Sequence, residues 1–595
     1  MTVTLGPSTS GIGPGPAKTR RLTPPWDLQR VTKLILLVAF IGGGVYLVRY
    51  IEFAPGQLLS GLFRKDGYLS RALPPTFTST NSLGGDARSE WGITAHQLIR
   101  TLIMAWAGTG IAALLSVPVG LAAARNTTPH RVVSVVARAF ISFCRATPEI
   151  VFATVFVLIA SIGERAGVLA LGVHSIGMLA KLLSDRIEEV DEKPIEAARA
   201  AGATRLQVIG NAVLPQVIPS WVNNVVYRFD INLRASAVLG FVGAGGIGIL
   251  LQSDLKNATR YPIGMATALS LAAVIVIVEI ASNLLRRRLN GVESRLSREA
   301  RPSAGSARTA RPLTPPWTKE RGGFLAVFWG GVALWAWCLW QVGLLTLTSV
   351  RPFGFGFSVP QIIAIPATAI GQITRYWPRW DTVGYLVKGQ VLNGHAAWWH
   401  AWRDTLTIAG GAAFMAVVVA IPVAFLVARS TTPARTVSWF FRMLLVALRS
   451  LPEIALVFFF VSALGLQSPF PAAAAMAIGA FAFIAKLTAD DLHGVGAGPQ
   501  EAIRSTGATR GQEVVGAVLP SAVPMIVANV IYCLDVCVRG GVLLGTVAGI
   551  GVGYLFTQTG FLPNPFQTVG AFVLSTFAII FSIEQLGSFV RKRLL

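Results

Sequence analysis

The sequence predicts an all-α polytopic membrane protein, made of two parallel-repeat halves with about six transmembrane helices each. Three observations lead to this fold class. Of the 595 residues, 53% are hydrophobic and only 13% are charged, which is about half the charged share of an average soluble domain. The apolar residues form runs long enough to cross a bilayer. Charged and proline-containing motifs of the first half also return 304 or 305 residues later, which indicates an internal duplication.

The formal net charge of +23 raises the possibility of nucleic-acid binding. However, much of the positive excess sits in short runs beside apolar segments, and the sequence carries no RNA- or DNA-binding motif. The tendency of Lys and Arg to collect on the cytoplasmic side of membrane helices explains the excess better. The predicted environment is therefore membrane lipid, without nucleic acid.

The chain divides into four predicted regions. Residues 1–30 are rich in Gly, Pro and basic residues, which favours a disordered cytoplasmic tail, and 31–288 form the first half. A basic cytoplasmic linker over 289–321 is predicted to be disordered, and 322–595 form the second half. Basic runs that end each half place both termini in the cytoplasm. The expected spans are 34–48, 98–124, 132–162, 166–186, 211–236 and 260–285, then 323–345, 402–428, 436–466, 469–489, 516–540 and 563–588.

A short polar-flanked motif stands between two spans in each half. Alanine-rich segments of this kind are strong helix formers, a Glu near the start suits the helix dipole, and a following Gly stops or bends the chain. An ordinary surface loop is the alternative, but the second copy argues against it. The two copies contain Glu196, Ala197, Ala198 and Gly202 before Leu214-Pro215, and Glu501, Ala502 and Gly507 before Leu519-Pro520.

This motif resembles the EAA loop of ATP-binding-cassette importer permeases. The resemblance implies the type I importer fold, with each copy forming a coupling helix that docks on an ATPase subunit at the inner membrane face. Two departures are visible. Ala212 and Ala517 stand where the family usually has Ile, and Ile503 replaces the third residue of the second copy.

Ionisable residues inside a span are costly and are therefore functional candidates. Arg145 and Arg449 lie midway along their apolar segments, and each has a carboxylate four residues on, Glu149 and Glu453. An intrahelical ion pair beside the intervening proline is one interpretation. The alternative is that both arginines face a central path and attract an anion, with the carboxylates holding them in place.

A second repeated set pairs Asp230 with Arg234 and Asp535 with Arg539. Their distance beyond Leu-Pro predicts a position toward the outer end of the span. Intrahelical pairing is again one possibility, and an outer vestibule for an anionic substrate is the other, since the planar Arg fork suits phosphate-like oxygens. The repeated Tyr227 and Tyr532 complete the candidates for the translocation path.

Several other motifs carry no predicted chemistry. Gly243 to Gly248 match a dinucleotide fingerprint letter for letter, but neither strand nor βαβ context accompanies them, so a tight turn or close helix packing is expected. The four cysteines lie in apolar stretches and are interpreted as packing residues. Neither a catalytic set, a metal cluster nor an ATP site was found in the sequence. The chain is therefore predicted to be a non-enzymatic subunit that takes its energy from another chain or an ion gradient.

Two longer stretches narrow the resemblance. Residues 227–248 and 174–182 look like the phosphonate-importer permease, and the likeness covers nearly all of both halves. It implies import of phosphonate, phosphite or phosphate by alternating access. The implied partners are a homodimer of ATPase subunits, which would bind ATP and Mg²⁺, and an extracytoplasmic substrate-binding protein. An importer of the same fold for another solute such as an amino acid, and a gradient-driven secondary carrier, stay open as rivals.

Overall fold

The structure is a computed structural model. It describes residues 28–64, 68–77, 80–81, 88–299, 319–350, 357–365, 377, 398–451, 453–464, 468–492, 497–557 and 565–594. The predicted tail over 1–27, most of the predicted linker (300–318) and Pro452 lie outside the described residues.

The described chain is built almost entirely of helices. In the first half these are α1 (Leu28–Tyr50), α2 (Pro55–Phe63), α3 (Tyr68–Ala72), α4 (Glu90–Ala123), α5 (Arg131–Ala146), α6 (Glu149–Ala160), α7 (Glu164–Glu188), α8 (Glu192–Ala200), α9 (Arg205–Val208), α10 (Leu214–Leu239), α11 (Ile247–Lys256) and α12 (Tyr261–Glu299). A π-helical turn (Ile209–Val213) and 3-10 turns (Gly240–Val242 and Ala258–Arg260) connect some of them.

The second half repeats this order. Its helices are α13 (Lys319–Gln341), α14 (Trp398–Val427), α15 (Arg435–Ser450), α16 (Glu453–Leu464), α17 (Pro469–Leu492), α18 (Ala497–Arg504), α19 (Arg510–Glu513), α20 (Leu519–Ala548), α21 (Gly551–Thr557) and α22 (Pro565–Leu594), with a π-helical turn over Val514–Val518. Two short antiparallel pairs, β1 (Thr80–Asn81) with β2 (Arg88–Ser89) and β3 (Leu347–Val350) with β4 (Phe357–Pro360), are the strands of the described part.

The predicted spans correspond to helices. Within the described residues, seven helices are long and apolar enough to cross a membrane, and two bent helix pairs pass the same test. These nine elements coincide with nine of the predicted spans. Helices α1, α13 and the α15–α16 pair cover the other three. The prediction of an all-helical polytopic membrane protein is therefore confirmed.

The structure refines two of the predicted boundaries. The apolar run 132–162, predicted as one span, is divided into α5 and α6, which meet at an angle of 94°. The break falls at Thr147-Pro148, where proline lacks the amide hydrogen that a continuous helix requires. The linker was expected to be disordered from 289, but α12 continues to Glu299.

The first helix of each half packs on the other half. Helix α1 lies along α14, and α13 lies along α4. In the second contact the Trp335 indole Nε1 donates a hydrogen bond to the carbonyl oxygen of Ala107 at 3.1 Å. The ring occupies the space beside Gly110, where an added Cβ would lie 2.0 Å from the Trp335 Cδ1 atom. The two halves are therefore interlocked by exchanged helices.

Contacts between the halves continue at their centre. Helix α5 packs on α22, and α15 packs on α12. The largest apolar core cluster includes Ala146, Ile150 and Val238 of the first half together with many residues of the second. Burying apolar surface across this boundary makes one packed body out of two repeats.

We expect Gly110→Ala to destabilise the contact between α4 and α13, because the new methyl group would overlap the Trp335 ring. Overpacking of this kind costs about 1–3 kcal/mol. Gly330→Ala on α13 is the matched control, since an added Cβ there meets nothing within 4 Å. Thermal unfolding of the detergent-purified chain should show a lower Tm for Gly110→Ala alone. Equal Tm values for both variants would contradict the exchanged packing.

Candidate functional site

The first coupling segment, residues 191–215, forms a compact reversal between α7 and α10. Its helix α8 begins after Asp191, whose side chain accepts a hydrogen bond from the amide of Lys193 at 3.1 Å. Only Ile195 of α8 is buried, while Glu196 and Ala197 are exposed. The helix therefore presents charged and small side chains outward, and one buried apolar residue anchors it to the body.

Glycine ends the helix in both copies. Gly202 and Gly507 each adopt φ +79°, a left-handed conformation that disfavours other residues. The predicted chain reversal at these glycines is confirmed. The expectation that the Glu stands at the helix start is wrong, because α8 already begins at Glu192 and α18 at Ala497. Glu196 and Glu501 therefore lie mid-helix, where a docked partner could reach them but the helix dipole contributes little.

The two segments share the geometry that follows the glycine. Thr204 with Gln207, and Thr509 with Gln512, form capping boxes. A π-helical turn then leads to Leu-Pro in both copies. The repeated sequence therefore fixes the same local structure twice.

The anchoring of the two segments differs. In the first, the Arg205 guanidinium donates to the carbonyl oxygens of Thr127 and Thr128. In the second, Arg504 forms a forked ion pair with Glu513, with nitrogen–oxygen distances of 2.8 and 3.1 Å. The two surfaces are alike in backbone and distinct in charge.

A cleft of about 740 Å³ lies beside the first coupling segment. Charged residues of both signs line it, among them Arg125, Glu188, Glu192, Glu196, Arg199 and Arg205. This arrangement suits a polar protein surface better than an apolar small molecule.

Arg145 does not pair with Glu149. The helix break at Thr147-Pro148 removes the four-residue helical spacing that this pair would need. Instead, the Arg145 guanidinium contacts the Glu584 carboxylate of the second half at 2.8 Å. Glu149 turns toward His174, with 3.6 Å between the Glu149 Oε2 and His174 Nε2 atoms. The predicted intrahelical pair is therefore wrong for Arg145.

The second arginine makes the reciprocal contact. Arg449 lies 3.9 Å from Glu279, a carboxylate of the first half. Glu279 and Glu584 are themselves 305 residues apart, so the two pairs are related by the duplication. We call Arg145–Glu584 and Arg449–Glu279 the cross-half ion pairs. The sequence analysis missed both glutamates. A signal for them was present, because each is an ionisable residue inside an apolar run and the two are separated by the repeat offset.

The Asp–Arg pairs predicted within single helices are present. Arg234 contacts Asp230 at 2.9 Å, and Arg539 contacts Asp535. Arg234 also reaches Glu279 at 3.3 Å. The Arg539 guanidinium donates to the carbonyl oxygen of Arg145 at 3.2 Å, which places it at the contact between the halves.

The structure places this set near one end of the α12 span. Glu279 stands seven residues before Arg286, the basic end of that span, so its partner Arg234 lies about 10 Å from that end. Whether this end faces outward or inward depends on the orientation of the span, so the position toward the outer end stays a prediction. Tyr227 stacks under the Arg286 guanidinium, 5.4 Å from the ring centroid, and Tyr532 packs near Phe483.

Several buried polar atoms in this region lack a hydrogen-bond partner among the described residues. They include guanidinium nitrogens of Arg145, Arg228 and Arg234, and one oxygen of Asp230. Such atoms are expensive inside a protein and point to a polar ligand or water. The candidate translocation path thus contains cations with unused donors at the boundary between the halves.

The glycine-rich stretch after α10 forms both a tight turn and a close helix contact, the two structures expected from its sequence. Gly243, Gly245 and Gly246 have positive φ angles, which form a tight turn. An added Cβ on Gly248 would lie 1.9 Å from the Ala237 carbonyl oxygen, so the backbones are in close contact. All four cysteines are buried free thiols.

The duplicated helical body, with the same exposed short helix and Leu-Pro turn in each half, has the repeat organisation that a family comparison then identifies. Residues 116–291 and 420–592 match the family described as "Binding-protein-dependent transport system inner membrane component". The chain belongs to this family of ATP-binding-cassette importer permeases, and it joins two permease units in one polypeptide.

Particular relatives are similar over long stretches. The phosphate-import permease protein PhnE of Mycolicibacterium smegmatis is 36% identical over 545 residues, which cover 91% of this chain and 92% of the relative. The phosphite transport system permease protein PtxC of Stutzerimonas stutzeri is 43% identical, over 39% of this chain and 79% of its own length. A solved MetNI methionine ABC transporter matches 33% of this chain and 95% of that one, at 24% identity and a TM-score of 0.30.

The cross-half ion pairs predict an energetic coupling between the halves. In a double-mutant cycle, Arg145→Gln and Glu584→Gln should be non-additive by about 1 kcal/mol or more, because the residues are in contact. The cycle of Arg145→Gln with Glu149→Gln is the matched control and should show the weaker coupling. Thermal unfolding of the purified chain measures both. Stronger coupling to Glu149 would mean that the intrahelical pair exists after all.

Proposed function

We propose that this chain is the transmembrane permease of an ATP-driven importer for phosphate-type oxyanions: phosphate, phosphite or phosphonate. The observation that carries the proposal is the likeness along 91% of the chain to a phosphate-import permease. A phosphite transport system permease protein is similar as well, over 79% of its own length. The buried guanidinium groups at the boundary between the halves suit such an anion, because Arg donates to several oxygens at once.

We infer that a separate pair of identical ATPase subunits binds ATP and Mg²⁺ and docks on the two coupling segments. Closure of the ATPases would bring α8 and α18 together and open the path outward. A loaded extracytoplasmic binding protein would then release its anion, and hydrolysis would reverse the closure. In this arrangement the chain itself holds no cofactor, and both termini and the coupling segments face the cytoplasm.

The cross-half ion pairs give this cycle a physical switch. Arg145 and Arg449 are neutralised by glutamates of the opposite half in the present conformation. Separation of the halves on one side of the membrane would expose these guanidinium groups to an incoming oxyanion. The charge of the anion would replace that of the glutamates, so that the arginines are compensated in both states.

Uptake into proteoliposomes that contain the chain, its ATPase and its binding protein tests the function. We expect ATP-dependent accumulation of radiolabelled phosphate, phosphite or a phosphonate. Amino acids such as methionine, added as a separate panel, should not accumulate. Amino-acid uptake without oxyanion uptake would identify an importer for another solute. Oxyanion uptake that needs an ion gradient and no ATPase would identify a secondary carrier.

The coupling role is tested by Glu196→Lys and Gly202→Pro. The first reverses the charge on the exposed face of α8, and the second cannot adopt the left-handed φ that turns the chain. Both should lower uptake by about tenfold and lower ATPase stimulation by the loaded binding protein, since about 1.4 kcal/mol of lost coupling gives that factor. Glu52→Lys, an exposed charge reversal at the end of α1, is the control. Normal uptake and normal stimulation in both variants would remove the coupling assignment.

A further inference from the structure

A chain of buried polar residues in the first half has no place yet in the proposed cycle. The Arg228 Nε atom donates to the Ser175 Oγ atom at 2.8 Å. The Ser175 hydroxyl donates to the Asn232 Oδ1 atom at 2.9 Å, and the Asn232 amide donates to the Thr109 Oγ1 atom at 2.9 Å. We call these four residues the first-half polar chain. All four are buried, and Arg228 is only 4% exposed.

The duplication provides an internal comparison. The corresponding positions of the second half are occupied by small residues: Ala413 for Thr109, Ala480 for Ser175, Cys533 for Arg228 and Cys537 for Asn232. His174 beside the chain corresponds to Gly479. These alanines and cysteines are buried as well. The same packed position therefore accepts small side chains of low polarity in one half of the same molecule.

The comparison between the two halves shows whether the polar residues are needed for packing. A buried guanidinium and its network are costly unless fully paired, and small apolar residues pack without that cost. Because the second half packs without the polar residues, the fold itself does not require them. The first-half polar chain is therefore better explained by a ligand than by packing.

The guanidinium of Arg228 is held in one orientation, but not all of its hydrogen-bond donors have a partner. Ser175 fixes its Nε side, while its buried Nη2 atom lacks a hydrogen-bond partner among the described residues. A guanidinium held in one orientation with a buried nitrogen that has no partner among the described residues is the arrangement expected of an anion-binding arginine.

Other charges place this donor at the boundary between the halves. His174, the neighbour of Ser175 in the sequence, lies 3.6 Å from Glu149, and Arg539 of the second half donates to the carbonyl oxygen of Arg145 at 3.2 Å. On the opposite side the counterpart carboxylate Glu453 lies against Gly479, in the space that a side chain would fill. Arg228 and His174 are therefore present on one side of the pseudo-twofold axis, while Cys533 and Gly479 stand at the matching positions on the other.

We propose that Arg228, held by the first-half polar chain, is a one-sided binding site for a tetrahedral oxyanion on the translocation path. This inference rests on the proposed function and makes it asymmetric: one permease unit binds the anion, while the other supplies Arg539 and completes the channel. Glu149 compensates the cations when the site is empty. The incoming oxyanion accepts a hydrogen bond from the Nη2 atom, which has no partner among the described residues in the present structure.

The test is phosphate uptake by the complete complex in proteoliposomes, with binding protein and ATPase held constant. Arg228→Gln should lower uptake by about tenfold or more, because hydrogen bonds to charged groups are the strong ones. Arg228→Lys should retain part of the activity. Cys533→Ser, the matched change at the corresponding position of the second half, should stay within about twofold of wild type, as expected of a substitution that removes no ion pair.

Two further readouts separate binding from structure. Stimulation of the ATPase by the loaded binding protein should persist in Arg228→Gln, since the coupling segments are untouched. Ser175→Ala should lower phosphate uptake while the complex still assembles, because Ala480 shows that an alanine side chain fits this space. Ser175→Ala also carries the test if Arg228→Gln fails to assemble.

The outcomes distinguish this site from the function on which it rests. If the wild-type complex imports phosphate and Arg228→Gln and Ser175→Ala import it equally well, the site is overturned and the oxyanion importer stands. An equal loss in Cys533→Ser would overturn the one-sided arrangement. If the wild-type complex imports none of the phosphorus oxyanions, the proposed function itself falls.

Discussion

The exchange of charge between the two halves is the constraint on which the rest of the structure depends. Arg145 and Arg449 lie in apolar surroundings, where an uncompensated guanidinium is expensive. Their carboxylate partners, Glu584 and Glu279, come from the opposite half. Neither half can therefore neutralise its own arginine in this conformation. The halves are bound together electrostatically at the place where a permeation path has to open.

The break between α5 and α6 makes this exchange possible. A continuous helix would hold Glu149 one turn from Arg145 and satisfy the arginine locally. The 94° bend at Thr147-Pro148 sends Glu149 toward His174 and leaves Arg145 to reach across the boundary. The proline that looked like a kink within an ion pair is thus the reason why the ion pair does not form.

The two halves are alike in their coupling segments and differ at the first-half polar chain. The coupling segments repeat their caps, π-helical turns and left-handed glycines, as expected if both meet copies of one partner. Part of the interior does not repeat: the first-half polar chain that ends at Arg228 corresponds to Ala and Cys residues in the second half. Fusion of two units in one polypeptide removes the requirement that both be identical, so one can carry polar groups that the other lacks.

The sequence by itself determined the helical membrane fold and the form of the coupling segments. It also determined the positions of nine spans, which the structure supports by helix length and composition. These features depend on local composition, on glycine conformation and on a repeat offset, all of which are readable along the chain. It failed for the partners of Arg145 and Arg449, because the four-residue spacing to Glu149 and Glu453 was the nearest available rule. Only the tertiary structure decided that α1 packs on the second half and α13 on the first. It also decided that Glu279 and Glu584 complete the ion pairs. Contacts between residues hundreds of positions apart depend on how the helices pack, which local pattern does not encode.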